Sequence, residues 1–600
     1  MKTIDEQAAL PAGRVDAAAA MLPPAASPVW RLALLGMLQG AALWALTEGL
    51  PRRYQALTPV PLWTALLYAV LALPMAGYLS EQGFRSRRAR VVVVAGLGLL
   101  FAALGAHIGA TGSELHGLSH VGPAHLLPAG VLGFVLLSLA AGFDTVRRRF
   151  DYPRLFELAW RNAVLVPVAA ALTGLLWVLL GSGAALLHSI GIKAAARLFA
   201  QPAFIMVVSG GSFGLACGLV LQRTDVLLAL RRFALSLTTW MLPLALLFAV
   251  IWVLALPFTG VQPLFATRSA AMYLCWFGVL CVTFVNAAWQ DGREAPALLR
   301  PLVVVAPWCW LAVPVLAVLG DWALWLRIQQ HGWTPDRVWG ALVAGLVTLY
   351  ALGYSASLLA RRGWFGLLPA TNIAAAILQS LALVALLSPL ADVRWLSTES
   401  QVARLKSGQV DPEDFDWEFL MRKAGPYGEA AVQALARATG GDDRQHRLAA
   451  AAAAALRDSP GTQAAPPRDL ERERRELREQ LAVLPQGESL DADFIEAMLA
   501  DHTDDQLRHC LTRAETCLAW RVDLNQDGRP EVVLLSEQHG QVQTRIHHRG
   551  TAGWNVLDTL GGGPGTLAQW RERLAAGQVQ VVAPQWQDVL IDGQRLRVYR

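Results

Sequence analysis

Charge is scarce in this sequence. Asp, Glu, Lys and Arg make up 16% of its 600 residues, where a soluble globular chain carries about 25%. Hydrophobic residues make up 54%. The deficit excludes an ordinary soluble enzyme and points to a lipid solvent. The net charge of +5 lies largely in short loops between apolar runs. That is the pattern of membrane topology, and it excludes a nucleic-acid-binding face. Also missing are the lysine of a P-loop, a serine elbow, a zinc-protease helix and a dinucleotide fingerprint. No named enzyme is supported, and the chain reads as a non-enzyme. Residues 1–30, rich in alanine and proline, lack the basic start, apolar centre and cleavage site of a signal peptide and read as a flexible tail.

What is present is a series of apolar runs. Crossing the hydrocarbon of a bilayer takes about 20 mostly apolar residues. Eleven segments qualify, at 31–50, 62–80, 91–110, 125–143, 162–182, 203–222, 233–256, 270–289, 301–321, 338–360 and 370–390. Residues 31–390 are therefore expected to form an all-α polytopic membrane bundle, with the lipid bilayer as its first partner. With the N-terminus in the cytoplasm, sixteen arginines (Arg85, Arg87 and Arg88 among them) fall in inner loops and seven basic residues (Arg52, Arg53 and Lys193 among them) in outer ones. This bias orients the bundle. An odd number of spans then places 391–600 outside, which in a bacterium is the periplasmic side of the inner membrane. Segment 183–202 reads as an interfacial amphipathic helix. In HGWTPDRV, Thr334 as N-cap, Pro335 at the first helical position and Asp336 against the dipole start the tenth span.

Beyond the bundle, 391–457 reads as a soluble segment of short helices, 458–468 as a linker and 469–600 as a small α+β module. RDLERERRELREQL is a solvated charged helix. From Cys517 the hydrophobic period changes to two, in CLAWRV, EVVLLSE and QVQTRIHH. A helix is expected at 566–576, and Asp592–Gly593 is a hairpin signal. Between the first two strands lies RVDLNQDGRPEVVLLSE. Asp523, Asn525 and Asp527 offer side-chain oxygens at positions 1, 3 and 5 of a calcium loop. Gly528 permits the sharp turn, Arg529 offers a carbonyl and Glu531 a carboxylate. The glutamate that closes an EF-hand is missing, since Leu534 stands there. The alternative is a polar β-turn whose acidic groups face water.

Cys510 and Cys517 cannot bridge along one continuous helix, because seven residues rise about 10 Å. If a helix ends near Leu511 and a strand begins near Leu518, they can close, and an oxidising periplasm favours the disulfide over two buried thiols. Cys217, Cys275, Cys281 and Cys309 fall in spans and behave as small apolar side chains.

The phrases DYPRLFELAWRNAVL, LPFTGVQPLFATRSA, VNAAWQDG, HGWTPDRVWGALVA and LSTESQVARLKSG together resemble the domain-of-unknown-function 4153 family. The likeness covers roughly 28–440, and CLAWRVDLNQDGRPEVVLL is similar to the tail of some members. It implies a polytopic bacterial inner-membrane protein and supplies no activity. The loop itself resembles the calcium loops of FG-GAP-type β repeats, which implies Ca²⁺ as a cofactor.

Inside the bundle, candidates for chemistry are few. Glu48, Asp144, Asp225, Asp291 and Asp321 fall at the ends of the predicted spans, where snorkelling is cheap. His107 in the third span and Asn286 in the eighth are the polar groups left over, each a packing residue unless it belongs to a pathway. His116 and His120, four apart with Glu114 and His125 nearby, have zinc spacing, though Gly117 and Gly122 argue for a loop. LGGGPGTL at 560–567 precedes a helix but lacks the P-loop lysine, so it reads as a turn. The scarcity of mid-membrane charge and the separate outer module favour a non-enzymatic envelope protein with a periplasmic binding or interaction module, partnered by other envelope proteins. The alternative is a transporter or lipid flippase, favoured by eleven spans and by the helix-distorting Pro167, Pro243 and Pro314. Paired polar residues lining a cavity at membrane depth would decide for it. A membrane transferase would need a polar cluster at one bilayer face.

Overall fold

The computed structural model describes residues 28–49, 60–84, 86–111, 123–262, 269–292, 296–359, 366–438, 443–458, 470–500, 510, 516–538, 541–550, 553–558, 566–579, 581, 589–591 and 594–596. The chain divides into two units, Met1–Ser459 and Pro460–Arg600.

The first unit is helical. Its apolar helices are α1 (Val29–Trp44, continued by a π turn at Ala45–Gly49), α2 (Val60–Leu79), α3 (Arg87–Thr111), α4 (Pro123–Gly142) and α5 (Tyr152–Ser189), the last two separated by the two-residue strands β1 (Phe143–Asp144) and β2 (Arg149–Phe150). After the short α6 (Ala194–Phe199) come α7 (Pro202–Gln222), α8 (Thr224–Thr259), α9 (Ala270–Trp289), α10 (Arg300–Trp310), α11 (Ala312–His331), α12 (Pro335–Leu359) and α13 (Leu368–Leu386). Among the described residues eleven helices are long and apolar enough to cross a membrane, with α10 and α11 counted as one. The break between those two has a cause in the sequence. Pro314 lacks the N–H that would bond the Trp310 carbonyl, and its ring crowds that oxygen.

Helix ends gather in two sets. At one end, α14 (Val393–Ser407) lies across the α11–α12 turn, where Gln401 Nε2 donates to the carbonyls of His331 and Trp333, both at 2.9 Å. This cap end also carries a π turn at Phe419–Lys423, α15 (Gly425–Ala436) and α16 (Asp443–Asp458). The short helices of 391–457 thus pack in one unit with the spans, around their own core of Leu405, Leu420, Val432 and Ala452. The opposite end is held by arginine. Arg161 donates to the carbonyls of Leu79 at 2.7 Å and Glu81 at 2.8 Å, and Arg154 to that of Gly83 at 2.7 Å. These guanidinium groups satisfy the bare C-terminus of α2, where cations are also favoured by the helix dipole.

α1 and α7 pack antiparallel through glycine. Gly36 and Gly40 on α1 face Gly210 and Gly214 on α7 so closely that backbone touches backbone. Close approach of this kind is how helices associate where the surrounding solvent is as apolar as their side chains.

Two expectations are corrected. Segment 183–202 is not one amphipathic helix; α5 runs on to Ser189 and only Ala194–Phe199 is helical after it. Apolar residues on every side of 162–189 let the helix continue, and Gly191 at φ 86 turns the chain. Asp321 does not end its span either, because α11 continues ten residues further to His331. Residues 1–27, most of the linker 458–468 and Asp592–Gly593 lie outside the described residues.

The second unit is α+β. Five strands, β3 (Ala482–Leu484), β4 (Cys517–Val522), β5 (Glu531–Gln538), β6 (Gln541–Gly550) and β7 (Gly553–Asp558), lie in that order, with β3 parallel to β4 and the rest antiparallel. Alternation divides the side chains between two cores. Ala519, Val532 and Leu534 meet Leu477 of α17 (Leu470–Gln480) and Phe494 of α18 (Ala492–Ala500). Leu518, Val533 and Leu535 meet Trp570 of α19 (Leu567–Ala575). Thr566 caps α19 by accepting the Gln569 N–H, so the period-two reading of this region is also its architecture. A small pair, β8 (Val589–Ile591) and β9 (Gln594–Leu596), follows.

Candidate functional site

A chamber of about 510 Å³ lies at the cap end of the first unit. Its apolar wall is Ile108, Trp339, Leu386 and Leu387, from the ends of α3, α12 and α13; its polar wall includes His125, Arg337, Asp392, Arg394 and Lys423. Asp392 organises that wall. Its Oδ1 accepts the Arg394 N–H at 2.7 Å, capping α14, and its Oδ2 pairs with His107 Nε2 at 2.7 Å, both side chains about 10% exposed. Arg394 Nη1 donates to the Thr111 carbonyl at 2.6 Å, satisfying the end of α3. Burial and the nearby Asp392 carboxylate push the Tyr427 phenol up, with Arg394 opposing.

A second cavity of about 210 Å³ lies toward the arginine end. It is mostly apolar, and Ser138, Tyr152, Asn286, Tyr350 and Asn372 bring polar groups to it. Asn286 Nδ2 donates to Tyr354 Oη at 2.8 Å, Tyr354 Oη donates to Asn372 Oδ1, and Asn372 Nδ2 donates to both Asn286 Oδ1 and Tyr152 Oη. These four side chains come from α5, α9, α12 and α13. Asn286 sits three residues, about 5 Å, inside the end of α9.

Three helices line both spaces. α4 contributes His125 to the chamber and Phe134 to Leu139 to the second cavity; α12 contributes Trp339 and Tyr350; α13 contributes Leu386 and Ile373. By helical rise the two spaces lie about 15–20 Å apart along these helices. Between them the helices bury Leu132, Ala344, Val347 and Leu383. His107 and Asn286, the two polar residues singled out in the spans, therefore stand beside different spaces. Asp392, Arg394, Tyr354 and Asn372 escape a reading by spacing because their partners are distant in sequence. Asp392 does carry a local signal, an aspartate just before a helix.

In the second unit, Val522 pairs with Glu531 and closes the 523–530 loop. Asp523 accepts the N–H groups of Asp527 at 3.2 Å and Gly528 at 2.9 Å. Asn525 Oδ1 accepts the Asp527 N–H at 2.9 Å, and Asp527 Oδ1 accepts the Arg529 N–H at 2.8 Å. Glu531, buried at 4% exposure, accepts the Leu524 N–H at 2.8 Å. The loop thus gathers the side chains of Asp523, Asn525, Asp527 and Glu531 through its own N–H groups, and Gly528 takes φ 82. Among the described residues no group of three or more His, Cys, Asp or Glu side chains is arranged as a metal set. The hard-oxygen chemistry suits calcium, while the loop's hydrogen bonds hold its shape without an ion. Cys510 and Cys517 are joined by a disulfide with Cα atoms 5.6 Å apart, Cys517 opening β4. Glu114, His116, His120 and most of the glycine stretch 560–567 lie outside the described residues.

No family model, curated protein or solved structure matches the chain.

Proposed function

We propose that the chain is a multi-pass protein of the bacterial inner membrane that passes an amphipathic, lipid-like substrate between the two bilayer faces, as a transporter or lipid flippase. The observation that carries this reading is the pair of cavities set near opposite ends of α4, α12 and α13, each joining an apolar wall to a polar one. An apolar wall suits an acyl chain and a polar one its headgroup. Asn286 and Asn372, paired beside the second cavity, are the kind of polar lining that favours transport over a mere anchor. In this reading the arginine end faces the cytoplasm by the positive-inside rule, and the cap end faces the periplasm. The resemblance to the 4153 family, carried by the quoted phrases, agrees with the inner membrane and adds no substrate.

The test uses full-length protein in liposomes containing NBD-labelled phosphatidylglycerol, with dithionite destroying the fluorescence of the outer leaflet. Protein is expected to expose inner-leaflet label that empty liposomes protect. Ala376→Trp, which fills the second cavity, is expected to slow transfer about tenfold, equivalent to about 1.4 kcal/mol on the barrier. Equal protection in empty and protein-containing liposomes, with and without a pH gradient, would rule translocation of this lipid out.

The second unit favours a periplasmic binding role for its loop, and we propose Ca²⁺ as its ligand. Asp523, Asp527 and Glu531 place three carboxylates within nine residues. At about 1 mM calcium, a site with Kd near 10⁻⁴–10⁻³ M adds about 1 kcal/mol to the folded state. The melting of this unit in the full-length protein should rise accordingly. Asp523→Ala and Asp527→Ala should remove the response, and Arg529→Ala should keep it because only its carbonyl is offered. A transition unmoved by calcium reduces the loop to a polar turn.

A further inference from the structure

Asp321 is a carboxyl within the bundle that lines neither cavity. Asp321 lies on α11 ten residues before its end, about 15 Å by helical rise. Its Oδ2 accepts a hydrogen bond from Thr348 Oγ1 on α12 at 2.6 Å. Thr348 is two residues from Tyr350, which lines the second cavity, and nine from Trp339, which lines the chamber. The carboxyl therefore sits at a level between the two spaces. Val318, Trp322 and Trp325 of the same helix point outward with more than half of their surface exposed, so Asp321 lies at the seam between α11 and α12, beside the lipid-facing surface.

A carboxyl at that level is costly when charged, and such residues mark ion or proton pathways when they are retained. Its partner is informative. An arginine would lock the carboxylate in its charged form. A threonine hydroxyl donates to the carboxylate and, after rotation, accepts from the carboxylic acid, so it serves both states. A metal cation would want about six oxygen ligands, and one hydroxyl beside one carboxylate falls far short. The surroundings hold little other charge. From α9 comes Cys275, whose Sγ would lie 3.7 Å from a Cβ at Gly320 and which is within reach of the Asp321 charge. α8 supplies Ala249 and Val253 to the apolar packing around α11. On α12 the nearest titratable group is Tyr350, and on α11 itself Arg327 is six residues on.

We propose that Asp321 is a reversible proton-binding site at a level between the two cavities, through which a pH gradient drives the transfer; the driving role rests on the translocation reading, the proton site does not.

The test treats full-length protein in phosphatidylethanolamine and phosphatidylglycerol liposomes with dicyclohexylcarbodiimide, which modifies protonated carboxyls from the apolar phase. Peptide mass spectrometry reads the adduct at Asp321 across a pH series. The adduct is expected at acidic pH and should fall about tenfold per pH unit once the carboxyl deprotonates. Asp321→Asn should show no adduct at that position. Absence of the adduct at every pH, or equal yield at every pH, overturns the proton site. NBD-phosphatidylglycerol transfer is read in the same liposomes. Titrating label without transfer keeps the proton site and removes translocation. Gradient-driven transfer that Asp321→Asn leaves at the wild-type rate keeps translocation and overturns the driving role.

Discussion

Gly40→Leu is expected to leave no folded helical unit. A Cβ at Gly40 would lie 2.1 Å from the Met206 carbonyl oxygen, and one at Gly36 would lie 1.9 Å from that of Gly210. The reverse substitutions meet the same wall: a Cβ at Gly210 would be 2.2 Å from the Gly36 oxygen, and one at Gly214 would be 2.1 Å from that of Leu32. These obstacles are backbone atoms, which cannot rotate away as a side chain does. α1 and α7 would have to separate by about 1 Å or more for a methyl group and further for leucine, forfeiting dispersion contacts along the whole seam. Overpacking of a well-filled interior costs about 1–3 kcal/mol even where side chains can adjust. Gly36→Ala should therefore lower the melting midpoint of detergent-purified protein by several degrees, and Gly40→Leu should yield no monodisperse protein on size exclusion. Gly174→Ala is the control. Nothing lies within 4 Å of the Cβ it adds, and alanine's helix propensity is about 1 kcal/mol better than glycine's, so its midpoint should hold or rise. A wild-type midpoint for Gly36→Ala would mean that α1 and α7 are not interlocked.

The parts of this molecule that could be read from its sequence are those built from neighbours. Each span is one apolar run, so hydropathy alone counts eleven. Asp523, Asn525 and Asp527 act within five residues of one another, so their spacing announces the turn they form. Cys510 and Cys517 could be judged by the rise of a single helix. The cavities obey no such rule. The chamber draws on residues from Ile108 to Lys423, and the ring of Asn286, Tyr354 and Asn372 joins three helices through single polar residues that are ordinary inside an apolar run. Composition also misplaced Asp321. Hydropathy ends its span where the charge appears, but backbone hydrogen bonds are satisfied by continuing the helix, and Thr348 supplies a partner that no local pattern reveals.

Asp392→Ala is expected to release the cap from the end of α3. Asp392 meets two needs at once, accepting the Arg394 N–H at the start of α14 and pairing with His107 inside the bundle. Losing an aspartate cap costs about 0.5–2 kcal/mol, and leaving the largely buried His107 side chain without its hydrogen-bond partner costs about 1–3 kcal/mol. These figures overlap, so the loss should be nearer about 3 kcal/mol than their sum. The damage should spread, because the same helix end is tied at two further points. Arg394 holds the Thr111 carbonyl, and Gly425 at φ 61 packs where a Cβ would be 2.6 Å from that oxygen. Asp392→Asn keeps an oxygen for the cap and a polar group facing His107, so it should lose less than half as much. His107→Ala in the Asp392→Ala background should add little, since the pair is already broken. Limited proteolysis between Ser388 and Asp392, together with the melting midpoint, reads the result. If Asp392→Ala and Asp392→Asn behave alike and the double variant loses the full sum, the His107 pairing contributes nothing, and the chamber wall is held by Arg394 and by the packing of α15 alone.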